Sequence, residues 1–545
     1  MVWELHPIVA RLLAARGFSG AALEEFLDPS ARRLLPSNAL PGMADAVRVI
    51  FPFLVQRRPV VVFGDYDADG VCATAILVEA MRRLGGRADA FIPDRFAEGY
   101  GMTAASLGRL MREFPDVALV VTVDNGINAV DEVRALRERG VAVVVTDHHL
   151  PAANLPVADA LVNPKVASVP GMENLCGAGV AFFLAGALAK AASEAGIDFG
   201  GKFSAPLLVL AGLATVTDIV PLTGQNRILV AQSLAQFSSA APMGLKELMG
   251  RAARRAEDAS ARDYGFALGP RINAAGRIAS AMDAYKLIVS RDREEVRSLA
   301  QKVDSQNGSR KTFESRMFDE AMAQVTSPYP SAVVVSGDGW HSGVSGIVAA
   351  RLMEAIGVPV AVVVDGRGSA RAPDGYNVRD ALAVCSGCLD RFGGHAAAGG
   401  FSVRDGSMSE FVSAFQSACA AQAAAIDRPA ADSVSGEMEL EPSDITLDLC
   451  RALRVLEPVG EGNPAPKFVL RNVHLKNVRT LGADGKHMEA VFANRLIPRA
   501  VWWGHGKDVE MLRARAARAH DIAFYLTTST WSGEEVPELC LSAVS

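Results

Sequence analysis

Three short β-branched runs, each followed at once by carboxylates or imidazoles, constrain this chain more than any other feature. Residues 60–63 (VVVF) run into Gly64-Asp65-Tyr66-Asp67-Ala68-Asp69-Gly70, residues 118–123 (ALVVTV) into Asp124-Asn125-Gly126, and residues 141–146 (VAVVVT) into Asp147-His148-His149. Amphipathic stretches near 71–84 and 129–139 separate them. Strands alternating with helices of this kind predict a parallel sheet with crossover connections. Ligands of such sheets bind beyond the carboxyl ends of the strands, so the three clusters should converge on one crevice. Carboxylates packed that closely repel one another unless cations share the site, and divalent metals turn the repulsion into binding. Oxygen ligands with an imidazole suit Mn²⁺ or Mg²⁺ better than a structural zinc. Asp218, in Thr217-Asp218-Ile219-Val220-Pro221, is a fourth contributor. It closes an apolar helix, where the dipole disfavours an anion and a nearby cation would explain it; taken alone, it could equally start a turn before Pro221.

The 545 residues are too many for one core. Residues 1–50 read as an N-terminal helical segment ending at Pro41-Gly42, and 51–225 as the domain carrying the acidic clusters. Residues 226–328 read as a helical region that includes a long connecting helix over 290–325, with Gly308 its weak point. A second α/β unit is expected over 329–425, with strands at 332–337 and 359–364. A linker is expected over 421–435. Short runs separated by Gly, Asn and Asp over 436–545 predict a small β-barrel. The longest uncharged apolar stretch, 203–217, falls short of the ~20 residues that span a bilayer and reads as a buried helix. Seven cysteines, an odd number thinly spread, predict free thiols and a reducing cytoplasm. Glu4 and the early arginines interrupt any export signal.

A net charge of −6 argues against a protein coated with a basic exterior, but charge is not uniform. From Lys467 to His520 there are eleven Lys/Arg against four Asp/Glu, with Phe468, Phe492, Trp502 and Trp503 interleaved. Basic grooves with aromatic platforms hold single-stranded nucleic acid by phosphate neutralisation and base stacking. Any one of these aromatics is more often barrel core. Gly393-Gly394-His395, ahead of Gly399-Gly400, would let backbone N–H groups approach a phosphate. Arg271, Asn273, Arg277 and Arg371 are the donors expected along a strand path, reading backbone rather than sequence. Cys385-Ser-Gly-Cys388 has no second ligand pair and reads as packing in a helix. Asp263, Glu437, Glu439 and Glu441 read as solvated.

GDYDADG, VTVDNGI, TDHH and TVTDIVPL resemble, in the same order, the four motifs of the DHH phosphoesterases. GPRINAAGRI, WHSGVSGIVAARL and FGGHAAAGGF are similar to the RecJ branch with its DHH-associated second domain, and LEPVGEGNPAPKF to the entry into that branch's oligonucleotide-binding (OB) domain. Ala214 departs from the usual glycine and leaves Asp218 in place. The resemblance implies that Asp67, Asp69, Asp124, His148 and Asp218 hold two ions, Mn²⁺ or Mg²⁺. Asp65 would stand beside them as ligand or supporting acceptor, and His149 would face the substrate phosphate. The loop Gly393-Gly394-His395 would face the metals across a cleft. The implied function is 5′→3′ exonuclease action on single-stranded DNA, releasing mononucleotides, in DNA repair and recombination. A monomer is implied, with single-strand-binding protein and a repair helicase as partners. Two alternatives stand beside this: a DHH-type hydrolase of oligoribonucleotides or cyclic dinucleotides, and a non-catalytic single-strand DNA-binding scaffold. The retained acidic residues speak against the last, and the basic aromatic tail against the first.

Overall fold

The computed structural model describes residues 4–99, 101–197, 204–426, 434–530 and 533–545. Residues 427–433 of the expected linker lie outside them, as does Phe203. The β-branched runs form strands because their side chains fill both faces of a buried sheet. The first sheet has the order β2-β1-β3-β4-β5, all parallel, from β1 (Pro59–Phe63), β2 (Arg87–Phe91), β3 (Leu119–Thr122), β4 (Ala142–Thr146) and β5 (Ala160–Val162). Phe63 pairs with Thr122 and Thr122 with Val145, so β1, β3 and β4 end level with one another. Chain order reverses between β1 and β3, the switch point where open α/β sheets bind ligands. Helices Ala68–Arg83, Gly177–Glu194 and Ser204–Thr217 bury one side of the sheet.

Helix Arg293–Ala323 runs unbroken through Gly308 to the second lobe. Its sheet has the order β6-β7-β8-β10-β9, from β6 (Val333–Ser336), β7 (Val360–Val364), β8 (Arg367–Arg371), β9 (Leu389–Gly394) and β10 (Ala398–Val403). Only β6 and β7 are parallel. Cys385–Cys388 forms a buried 3₁₀ turn before β9 rather than part of a helix, and all seven cysteines are free. The third sheet joins β11 (Met438–Glu439), β12 (Lys467–Leu481), β13 (His487–Phe492), β14 (Ala500–Trp502), β15 (Ala519–Ser529) and β16 (Val536–Val544). Pairing of β12 with β15 closes it into a barrel, with β14 and β16 parallel and a helix, Val509–Arg515, ahead of β15.

The N-terminal helices Pro7–Ala15 and Gly20–Leu27 pack on that C-terminal barrel, where Ile8, Leu12, Leu13 and Phe26 share one core with Leu456, Phe468 and Phe524. Arg16 ties the two ends of the chain together at 2.8 Å from Glu437. Buried Arg227, on helix Gly224–Ala240, donates to the carbonyls of Phe26, Val455, Leu456, Glu457 and Pro458 and so clamps this cap to the first lobe. Asp263 is buried and not solvated as expected, because it closes a helix N-terminus through the backbone N–H and hydroxyl of Ser260. Among the described residues no helix is long and apolar enough to cross a membrane.

Candidate metal and nucleic-acid site

The turn after β1 carries three of the acids, each in a different setting. Asp67 caps helix Ala68–Arg83 by accepting from Gly70 N. Asp69, inside the first turn, accepts from Gly177 N at 2.6 Å and Ala178 N at 2.8 Å, so the N-terminus of a second helix fixes both its oxygens. Asp65 is buried against Gly70, where an added Cβ would lie 2.6 Å from Asp65 Cα. After β3, Asp124 adopts a left-handed conformation (φ 61°), and Gly177 leaves the space it needs: a Cβ there would stand 2.6 Å from Asp124 Cβ.

His148, after β4, draws these groups together. Its Nε2 lies 2.9 Å from Asp124 Oδ1, 3.6 Å from Asp69 Oδ2 and 3.7 Å from Asp218 Oδ2. Three sets of potential ligands result, each within 4.8 Å: Asp65/Asp67/Asp124, Asp69/His148/Asp218 and Asp124/His148/His149. Asp124 and His148 each belong to two sets, the sharing expected where two ions sit side by side. The donor atoms are also poised for cations: buried Asp65 Oδ1, Asp124 Oδ1 and His148 Nε2 make no hydrogen bond, even though the last two are 2.9 Å apart. Without cations, burial and then mutual repulsion raise the carboxyls of Asp65 and Asp124 well above their usual range and lift Asp218 to about 9. Burial lowers His148. The residues fit a pair of hard divalent ions, and all seven sequence-derived acids and imidazoles meet here.

Asp147 has a different part, one its position in the sequence does not assign. Its Oδ1 accepts from His148 N, His149 N and His149 Nδ1 (2.7, 3.1 and 2.8 Å), and its Oδ2 from Ile127 N. With its oxygens occupied in this way it is an orienting group, holding the His149 ring and the turn after Asp124. Burial opposes the His149 cation, but the hydrogen bond and charge of Asp147 prevail and raise it. The adjacency of Asp147 to His148-His149 was the available signal.

The two lobes enclose a cavity of about 410 Å³ beside the metal cluster, lined by Tyr66 and Arg95 of the first lobe and Arg367, Ser369, Arg391 and Gly393 of the second. Arg95 stacks on Tyr66, 4.9 Å from the ring centroid. Arg277 is lowered to about 10 by burial and by Arg95, and Arg371 is lowered for the same two reasons. Such crowding of guanidinium groups marks an anion site. Arg95, in a turn after β2, gave no sequence signal. Other expected donors have partners elsewhere: Arg271 pairs with Asp304 at 2.8 Å, and Asn273 accepts from Ala68 N at 2.7 Å, supporting the acidic turn. Gly394 pairs with Gly399 in the β9–β10 hairpin, and His395 is exposed at its tip. In the barrel, Phe468 and Phe492 are core, whereas Trp503 is 55% exposed. A larger cavity, about 690 Å³, lies at the opposite end of the first sheet near Val141 and contains none of these groups.

Comparison with known families places the chain. The DHH family N-terminal domain matches residues 59–210, the DHHA1 domain 330–421, and the RecJ OB domain 437–543. The single-stranded-DNA-specific exonuclease RecJ of Escherichia coli is 35% identical over 489 residues, covering 85% of this chain and 83% of that protein. This chain belongs to the RecJ family. The Bacillus subtilis RecJ is 34% identical over 516 residues, 90% of this chain but 62% of its own length, so this chain spans less than two thirds of that relative. The crystal structure of Thermus thermophilus RecJ in complex with Mn²⁺ superposes with a TM-score of 0.85 at 30% identity, covering 99% of this chain and 76% of that one. The Mg²⁺ complex from the same organism gives 0.79.

Proposed function

We propose that this RecJ-family chain is a divalent-metal-dependent exonuclease that hydrolyses single-stranded DNA from its 5′ end to mononucleotides. One observation carries the reading: a buried knot of carboxylates and imidazoles with unsatisfied donor atoms lies directly beside a cavity lined by guanidinium groups. Asp65, Asp67, Asp69, Asp124, His148 and Asp218 would hold two ions, Mn²⁺ or Mg²⁺, the metals in the Thermus RecJ complexes. When bound, such a pair activates water and neutralises charge developing on a phosphodiester. The protein's own tasks are positional. The N–H groups of Gly177 and Ala178 hold Asp69, Asp147 orients His149 toward the phosphate, and Asn273 braces the turn of Asp67.

Arg95, Arg277 and Arg371 would anchor a terminal phosphate one nucleotide from the metals, which accounts for both polarity and mononucleotide steps. Gly393 and Gly394, with His395, would contact backbone on the second-lobe side. The curated relatives bear the name single-stranded-DNA-specific exonuclease, and the barrel supplies a surface for such a strand. The proposed setting is DNA repair and recombination, acting as a monomer on strands supplied by a helicase and single-strand-binding protein. The test is incubation with end-labelled single strands, duplex and dinucleotides, in Mn²⁺ or in EDTA. Mononucleotide release from 5′-phosphorylated single strands, only with metal, is expected. Hydrolysis of dinucleotides alone, or binding without products, would displace the reading.

A further inference from the structure

Asp218 belongs to the ligand set of Asp69 and His148, not to that of Asp65 and Asp67, which flank the cavity-lining Tyr66, and the chain takes an unusual course directly after it. Ile219 is a β-branched residue in the left-handed region (φ 58°) and is 71% exposed. Behind it, the helix end Val216–Thr217 packs against a π-helical turn, Tyr264–Leu268, in which Gly265 faces Val216 and the following Gly269 touches Thr217. A π-turn is rare, and it is often found at functional sites. Here it presents Phe266, 79% exposed, while its neighbours Tyr264, Ala267 and Leu268 are buried. Arg262 lies over that ring, 5.7 Å from the centroid, and among the described residues it makes no ion pair.

The barrel stands opposite. Its entry segment docks just beyond Ile219, where Leu222 N donates to Glu461 O at 2.7 Å and Gly462 abuts Pro221. On the barrel itself, Trp503 is exposed. Phe266 with Arg262 therefore stands beside the route from Asp218 to the barrel entry.

We infer that Phe266, backed by Arg262, is a base-stacking platform for the nucleotides that follow the scissile phosphate on the way to the barrel. The inference rests on the exonuclease reading and deepens it: with the terminal phosphate in the arginine cavity and the cut at the metals, the rest of the strand must leave past Asp218. A π-turn suits this task because its extra residue pushes one side chain outward without disturbing the buried ones. Every base has a π-face, so such a platform is indifferent to sequence. The guanidinium of Arg262 can pair with a phosphate of the same nucleotide.

The experiment uses the full chain with 5′-phosphorylated oligothymidylates from two to twenty residues, 2-aminopurine placed at successive positions, and Phe266→Ala, Phe266→Leu and Phe266→Trp. Because Phe266 is exposed, these variants should fold as the parent does. Expected are a several-fold rise in KM on long strands for Ala and Leu, unchanged kcat/KM on dinucleotides, and recovery with Trp. In EDTA, quenching of 2-aminopurine a few positions from the 5′ end should be lost in Phe266→Ala. Equal KM and equal quenching in parent and Ala, or a Leu variant as good as Trp, would overturn the platform. Absence of metal-dependent release by the parent protein would instead overturn the nuclease reading, so the two failures are distinguishable.

Discussion

Asp124 is the residue on which the two-ion arrangement turns, since it joins two ligand sets and occupies a strained backbone that only its surroundings sustain. Asp124→Ala should lower turnover by at least about a thousandfold, the scale of losing a group that acts only in the transition state. Single-strand binding, measured by anisotropy in EDTA, should change little, and a variant with parental turnover would remove Asp124 from the ligand set. Asp218 gives the pH dependence. Held near 9 by burial and by Asp69, Asp67 and Asp65, it binds a proton in the folded protein that the unfolded chain releases near pH 4. This stability is fully present below about 4 and is lost as pH rises toward 9, so the metal-free protein should melt at lower temperature at pH 8 than at pH 5. Metal competes with those protons, so the gain in Tm from Mn²⁺ should be larger at pH 8. Thermal scans in EDTA and in Mn²⁺ at both values check this, and a gap independent of pH would contradict it.

Among the elements, those that carry chemistry were the most legible from sequence. Strands β1, β3 and β4 are runs of Val, and their acidic ends are read from neighbours in the chain, so both fold and ligands followed from local pattern. Strand β2, RADAF, is not legible in this way because Arg, Ala and Asp give no strand signal; its place is set by pairing with β1. The anion cavity was only half legible for a similar reason, since Arg95 matters through Arg277 and Arg371, far away in sequence. Likewise, nothing in GAGVAFF announces that Gly177 must be small. Its missing side chain is what lets helix Gly177–Glu194 reach Asp124 while its N–H groups hold Asp69. Gly177→Ala should therefore cost about 1–3 kcal/mol of stability by overpacking and reduce Mn²⁺ affinity and turnover at least tenfold. Calorimetric titration with Mn²⁺ would show it, and parental affinity would mean the carboxylate is not fixed by this contact.

At the scale of the whole molecule, the ends of the chain form one unit. No local pattern could show this, because the contacts of Arg16 with Glu437 and of Phe26 with Arg227 cross hundreds of residues. Arg227 is the clamp, and its charge has no carboxylate partner among the described residues, only five carbonyl oxygens and the Phe26 ring. Burial lowers it to about 10, which still leaves it charged at neutral pH. Arg227→Met keeps much of the volume but leaves those carbonyls without their donor, a loss on the order of 3 kcal/mol or more. Because the clamp joins barrel to catalytic lobe rather than holding either core together, its loss should fall on their coupling. Dinucleotide hydrolysis should persist while affinity for twenty-residue strands falls and the slope of log affinity against log salt flattens, as fewer phosphates are engaged at once. Binding isotherms at several salt concentrations, set beside dinucleotide rates, decide it. If long-strand affinity and salt slope both match the parent, the strand does not need the barrel held in this position, and the nucleic-acid path drawn between the two units is wrong.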